Sequence, residues 1–239
     1  MRRLLEAFYK NLVVPVQDFI YPPLCFLCDK RLENGGVRMC GECWPNFPSF
    51  HVGDPVWHEL KNRFAQDGAV SDFLSCFYFE QQGRLQKVIH LLKYQGIRSM
   101  GVMLGKEIGY RILQSTAFGS ADVLLPVPLH KLRQRERGFN QSEIICEGIS
   151  TVTGIPTRAN VIHRVKYTQS QTKLNLEERR SNVGDAFRIN PHYLEAVKRK
   201  RVILVDDVIT TGSTISACAK ELVREGAEFV LAASAAVAL

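Results

Sequence analysis

A chain of 239 residues with 46% apolar and 23% charged side chains has ordinary globular composition, which excludes a disordered, collagenous or coiled-coil protein and allows one sizeable α/β core plus a smaller module. The formal charge of +7 is unevenly placed: Pro126 to Arg201 holds 15 Lys/Arg against 7 Asp/Glu, and the remainder is about neutral. A positive field concentrated in this way suits a polyphosphate ligand or a nucleic-acid backbone, as well as a solvated surface.

Residues 1–20 begin with Arg2 and Arg3, but Glu6, Lys10 and Asp18 break the apolar run and no small-residue cleavage site follows. They read as a short amphipathic helix with Leu4, Leu5, Phe8 and Leu12 near one side. No apolar run approaches the ~20 residues needed to span a bilayer, so a cytoplasmic protein without a membrane span is expected. In that compartment cysteines stay reduced or bind metal.

Pro22 and Pro23 end the first helix and open a cysteine-rich stretch, followed by a Pro/Gly-punctuated segment as far as Pro55. The expected domains are therefore 1–55, a helix and four-cysteine module, and 56–239, an α/β domain. The aromatic run from Ser71 to Phe79 reads as a buried strand. Two helical patterns follow, split at Gly96: one holds Leu85, Val88, Ile89 and Leu92, the other Met103, Leu104, Ile108 and Leu113. The apolar run Ala121 to Val127 leads into a basic loop, a helix from about Gly138 to Thr153 and a short strand near Asn160 to His163. A long polar basic segment runs to about Val183, before a strand at Arg201 to Val205, a helix over Ser213 to Glu225 and a final strand over Ala227 to Ala235. Strands apolar along their whole length, alternating with helices, predict a doubly wound parallel sheet covered on both faces.

Cys25-x-x-Cys28 and Cys40-x-x-Cys43 form two knuckles separated by 11 residues. Four thiolates can enclose one tetrahedral Zn²⁺, leave no open coordination position, and so point to a structural metal. Cys76, Cys146 and Cys218 lie in apolar or helical contexts and read as packing residues. The six histidines show no ligand spacing with one another, and only His130 and His163 lie near the candidate site argued below.

The most informative stretch is Val202 to Thr214. Four apolar β-formers end in Asp206 and Asp207, and Thr210-Thr211-Gly212-Ser213-Thr214 then opens a helix. That order places paired acids at the carboxyl end of a parallel strand, where open α/β sheets bind ligands. The turn supplies amides, hydroxyls and the positive end of a helix dipole to a phosphate, while Gly212 permits close backbone approach. Acids beside a phosphate cradle make sense if they accept hydrogen bonds from vicinal ribose hydroxyls, with or without a bridging Mg²⁺. The stretch is neither a Walker loop nor a dinucleotide Gly-x-Gly-x-x-Gly pattern.

These 13 residues resemble the phosphoribosyl-pyrophosphate signature of type I phosphoribosyltransferases. The resemblance implies that fold, with Asp206 and Asp207 on the ribose hydroxyls, Thr210, Thr211, Gly212, Ser213 and Thr214 on the 5-phosphate, and Mg²⁺ accompanying phosphoribosyl pyrophosphate. It places pyrophosphate at the loop after Pro126-Val127-Pro128-Leu129, with Lys131 and Arg137 as donors. It likens Arg164 to Arg180 to a mobile catalytic loop carrying Arg164 and Lys173. The four-cysteine module, Leu92-Lys93-Tyr94, the segment PVPLHKLRQRERGFNQSE and the signature together resemble the ComF family of competence proteins. That likeness implies a phosphoribosyltransferase-like protein linked to natural transformation, with single-stranded DNA and a DNA-uptake helicase as expected partners. Purine synthesis by amide transfer is discounted, because the tract before the α/β core is short and its cysteines come in pairs. Two classes remain open: an enzyme with an unknown acceptor, and a non-catalytic single-stranded-DNA-binding module that keeps the pocket for sensing, where Phe139 and Tyr167 could stack on bases.

Overall fold

The computed structural model describes residues 22–32, 39–165 and 186–238. The helix expected over residues 1–20, and the stretch holding Lys166, Tyr167, Lys173, Arg179 and Arg180, lie outside the described residues. The chain separates into two compact units, Met1–Phe47 and Pro48–Leu239.

In the smaller unit, Leu24 and Arg31 form an antiparallel bridge, and Cys25 and Lys30 close a tight turn through Cys25 N–H to Lys30 O at 2.9 Å. Asp29 takes the left-handed conformation (φ 57°) that lets the turn reverse, a conformation its short polar side chain tolerates. Trp44 and Phe47 meet edge to face at 5.5 Å.

The larger unit runs α1 (Pro55–Asp67), β1 (Asp72–Phe79), α2 (Arg84–Gln95), α3 (Arg98–Leu113), α4 (Thr116–Gly119), β2 (Val123–Pro126), α5 (Lys131–Arg137), α6 (Gln141–Thr153), β3 (Ile162–Arg164), β4 (Phe187–Ile189), a 3₁₀ segment (Pro191–Ala196), β5 (Arg201–Ile209), α7 (Ser213–Arg224) and β6 (Phe229–Ala238). Four strands form a fully parallel sheet in the order β1-β6-β5-β2, and β3 pairs antiparallel with β4 in a separate two-stranded sheet. Strand alternation sends Val202 and Leu204 of β5 into one core with Phe64 of α1 and Ile215, Cys218 and Leu222 of α7. Ile203 and Val205 point to the opposite face, where α3 and α6 bury Leu104, Ile108, Ile144, Ile145 and Ile149. Helices thus cover both faces, as the apolar runs predict.

The α3/α6 crossing depends on glycine. A Cβ on Gly105 would sit 2.1 Å from the Ile145 carbonyl oxygen, and one on Gly148 would sit 2.2 Å from that of Val102. Backbone therefore meets backbone, which fixes how closely α3 and α6 approach each other.

Several local readings change. β5 continues to Ile209 instead of ending at Val205, because β6 pairs with it as far as Ile209–Val237. On its other side, β2 stops at Pro126–Val205, so that flank of β5 is open from Asp206 onward. The basic loop is largely helical: Lys131–Arg137 forms α5, started by the His130 ring accepting from Leu132 N–H at 3.3 Å and ended at Gly138 in the left-handed region. Its residues are good helix formers without an apolar period, so a search for amphipathic patterns passes over it. α1, with Pro55 at its first position and Leu60 and Phe64 buried, has no counterpart in the sequence reading.

Candidate functional site

Beyond the end of β2, β5 carries Asp206 and Asp207 into the open flank, and the first turn of α6 closes on them. Asn140 caps that helix by accepting from Ser142 N–H at 3.0 Å, while its Nδ2 donates to Val127 O at 3.0 Å. The cap thereby ties the start of α6 to the segment leaving β2. Ser142 Oγ then donates to Asp206 Oδ1 at 3.2 Å, and Gln141 Nε2 donates to Asp207 Oδ1 at 3.1 Å. Lys93, from the last turn of α2, is ion-paired with Asp207 Oδ2. Asp207 is only 4% exposed. Burial pushes the Asp206 carboxyl up to about 7; the neighbouring Asp207 charge adds to this, and the Lys93 ammonium opposes it.

The turn after β5 is built on Gly212. Its φ of 77° lies in the left-handed region, and a Cβ there would come within 2.8 Å of the Phe64 ring. Position 212 therefore needs glycine for both conformation and space. Thr211 Oγ1 and Ser213 Oγ are 2.9 Å apart, and Ser216 N–H donates to Gly212 O at 2.9 Å to close the first turn of α7. Ser213 N–H donates to Thr211 Oγ1 at 3.4 Å, whereas the amides of Thr214 and Ile215 precede the Ser216 bond and have no acceptor within the helix. Thr210 is exposed, whereas Thr211, Ser213 and Thr214 are half-buried. Together these groups make an anion-accepting start to a 12-residue helix, directly after the paired acids.

The expected cations separate into groups. Arg137 donates Nη1–H to Gln141 Oε1 at 3.1 Å and lies 5.1 Å from the Tyr94 ring, which joins it to the acid cluster through Gln141. Lys131 is exposed on α5 and shares a cleft of about 140 Å³ with Asn140, Glu143, His163 and Arg164. Arg164 ends β3, with its guanidinium 5.5 Å from the Phe187 ring. Lys173 lies outside the described residues. Lys93, Gln141 and Ser142 escape a motif-by-motif search for site residues, although each sits inside a segment that carries the family resemblance. The usable signal was their company in Leu92-Lys93-Tyr94 and Asn140-Gln141-Ser142, not their residue type.

In the smaller unit, the Sγ atoms of Cys25, Cys28, Cys40 and Cys43 all lie within 4.8 Å of one another, with Cys28 and Cys40 3.6 Å apart. Four sulfurs at about 2.3 Å from one tetrahedral Zn²⁺ would be roughly 3.8 Å apart, so the cluster fits that ion. Cys40 N–H donates to Cys25 Sγ at 3.4 Å, the kind of bond that stabilises a thiolate ligand. Cys76, Cys146 and Cys218 are buried, and burial pushes the Cys76 thiol up to about 12, in keeping with a packing role. Among the described residues, no helix is long and apolar enough to cross a membrane.

The phosphoribosyl transferase domain family matches residues 154–238, which contain β5, the Gly212 turn and α7. Competence protein F of Haemophilus influenzae is 30% identical over 212 residues, covering 86% of this chain and 86% of its own. DNA utilization protein YhgH of Escherichia coli O157:H7 is 32% identical over 226 residues, covering 87% of this chain and 94% of its own. Among solved structures, the glutamine phosphoribosylpyrophosphate amidotransferase of Bacillus subtilis is 22% identical with a TM-score of 0.36, covering 55% of this chain and 26% of that one.

Proposed function

The chain belongs to the ComF family of competence proteins, and from that premise we propose that it binds phosphoribosyl pyrophosphate at the carboxyl edge of its sheet and serves DNA uptake in the cytoplasm. Asp206 and Asp207 accept the ribose hydroxyls. Thr210, Thr211, Gly212, Ser213 and Thr214 hold the 5-phosphate. Lys131, Arg137 and Arg164, with Lys173, face the pyrophosphate. The observation carrying this reading is the sequence of groups along one element: two carboxylates on the open flank of β5, then a helix start whose left-handed glycine rests on Phe64. A phosphate dianion and a diol separated by a sugar's length match that order of acceptor and donor groups.

Mg²⁺ enters this reading with the ligand. Both oxygens of Asp207 already have partners in Gln141 and Lys93, so the chain presents no carboxylate cage, and a divalent ion would be held chiefly by phosphate and hydroxyl oxygens. Bound there, it would neutralise the departing pyrophosphate. Zn²⁺ on Cys25, Cys28, Cys40 and Cys43 holds the smaller unit together, and residues 1–55 act as the appended module to a catalytic or sensing domain over 56–239.

Calorimetry with phosphoribosyl pyrophosphate and Mg²⁺ tests the pocket. The wild type should bind, and Asp206→Asn/Asp207→Asn should bind at least tenfold more weakly. Equal affinity of the two proteins would remove the acid pair from the site. Pyrophosphate release on adding nucleobases would identify a phosphoribosyltransferase.

A second reading, a single-stranded-DNA-binding module that uses the pocket for sensing and works beside a DNA-uptake helicase, is favoured by α5. That helix has no buried residue and presents Lys131 and Arg135 to solvent, as backbone-phosphate contacts require. A gel shift with single-stranded DNA that weakens with salt supports it, and absence of any shift at low salt rejects it.

A further inference from the structure

We propose that Lys93 is a positioning residue that balances the Asp206–Asp207 pair in place of a divalent cation, so that ribose 5-phosphate binds this pocket without metal. The inference rests on the phosphoribose reading above and concerns how its acid pair is kept usable.

Two adjacent carboxylates beside a phosphate-binding turn face a charge problem. They repel each other and repel the dianion they flank. Asp207 is also 4% exposed, so its charge needs a close partner. The chain itself provides one. Lys93 Nζ pairs with Asp207 Oδ2, Gln141 Nε2 takes Oδ1, and Ser142 Oγ takes Asp206 Oδ1. The Lys93 ammonium also acts on the Asp206 carboxyl, pulling against the effects of burial and of Asp207.

The lysine is held in this position by more than its own ion pair. The next residue, Tyr94, lies under the Arg137 guanidinium at 5.1 Å, and Arg137 donates to the same Gln141 that donates to Asp207. Lys93, Asp207, Gln141, Arg137 and Tyr94 thus form a closed circuit whose two ends are consecutive residues of α2. A flexible surface lysine pairing by chance would lack this support, and Lys93 retains only 22% side-chain exposure. Lysine offers a compact point charge on a long stem, so it can neutralise an acid without occupying the volume of a hydrated divalent ion. With one cation already in place, the remaining lone pairs of the two carboxylates can accept ribose hydroxyls before any metal arrives.

Ribose 5-phosphate is the discriminating probe, because it lacks the pyrophosphate that brings Mg²⁺ along. Calorimetry would compare wild type, Lys93→Met and Lys93→Arg, each in chelator and in millimolar Mg²⁺. The wild type should bind with affinities within about twofold in the two buffers. Lys93→Met should lose at least about tenfold in chelator, the effect of removing one charge-assisted contact, and recover most of it in Mg²⁺. Lys93→Arg should remain metal-independent. A purely structural lysine would weaken binding equally in both buffers. Wild-type binding that requires Mg²⁺, or that is absent, overturns the proposal, as does a Lys93→Met protein that matches wild type in chelator. If Lys93→Met does not fold, the wild-type comparison decides alone. Failure to bind phosphoribosyl pyrophosphate with Mg²⁺ would in addition sink the phosphoribose reading, whereas normal binding of that ligand leaves the reading standing when this inference fails.

Discussion

Replacing Gly212 with alanine tests how the turn after β5 is packed. The φ of 77° costs an alanine about 1–2 kcal/mol relative to right-handed backbone. The added Cβ would lie 2.8 Å from Phe64 Cε1 and 3.0 Å from Cζ. Phe64 is 1% exposed and packed among Leu60, Phe73 and Ile215, so its ring cannot swing away, and overpacking of this kind adds about 1–3 kcal/mol. Against this, alanine stiffens the unfolded chain by about 0.4–1 kcal/mol. The net loss should be about 1–4.6 kcal/mol, a large share of a domain's usual ~5–15 kcal/mol. Urea denaturation monitored by circular dichroism measures it. In a Phe64→Leu background the clash is relieved, so the cost of Gly212→Ala should fall by more than about 1 kcal/mol, a coupling expected for residues in contact. A single-variant loss below about 0.5 kcal/mol, or strictly additive losses, would refute the packing argument. The turn would then owe its glycine to something other than Phe64.

The acid pair makes a pH prediction whose sign is unusual for a carboxylate. Asp206 titrates at about 7 in the folded protein and near 3.9 when unfolded, so between those values the folded state holds a proton that the unfolded chain has released. Its contribution to stability therefore falls as pH rises from about 4 to 7. Asp206→Asn should raise the thermal midpoint at pH 8 and flatten that slope, and a lower midpoint at pH 8 would contradict the assignment. One zinc per chain should be found by elemental analysis, and serine at any of Cys25, Cys28, Cys40 or Cys43 should lower it; retention of full zinc by all four variants would exclude the cluster. Gly105→Ala should cost about 3 kcal/mol or more, because its Cβ meets the Ile145 carbonyl and two helices must separate, and near-neutral denaturation would mean that the α3/α6 crossing is wrong.

What the sequence disclosed and what it concealed follow one division. Apolar runs such as Val202 to Val205 announce a strand buried on both faces because nothing polar interrupts them, and the Thr/Gly/Ser turn announces a helix start because few other residues cap one. Both signals are local. Strand order is not: β1 lies beside β6, the first strand beside the last, and no short window of sequence encodes that pairing. The extension of β5 to Ile209 has the same origin, since its last residues are held by β6 while β2 has already ended. α5 escaped for the opposite reason. It buries nothing, so it leaves no periodic trace, and its helical state follows from propensity and two end residues.

The site shows this division at the scale of single side chains. Asp206, Asp207 and Gly212 sit in one continuous segment and could be read as a unit. Lys93, Gln141 and Ser142 come from two other helices and meet the acids only once α2 is packed on α3 and α6 on the sheet. Sequence therefore exposes the half of the candidate site that one turn supplies. The half that sets its charge is assembled by the fold, because a buried carboxylate pair draws its partners from whichever elements lie across it. A Gln141→Leu variant probes that assembly without touching a charge. It removes the donor to Asp207 and the acceptor of Arg137 together, so the circuit opens at its centre. If the circuit holds Lys93 in place, phosphoribosyl pyrophosphate should bind several-fold more weakly to this variant, and Lys93→Met should add little further loss in the same background. Full additivity of the two losses would show that Lys93 keeps its place unaided.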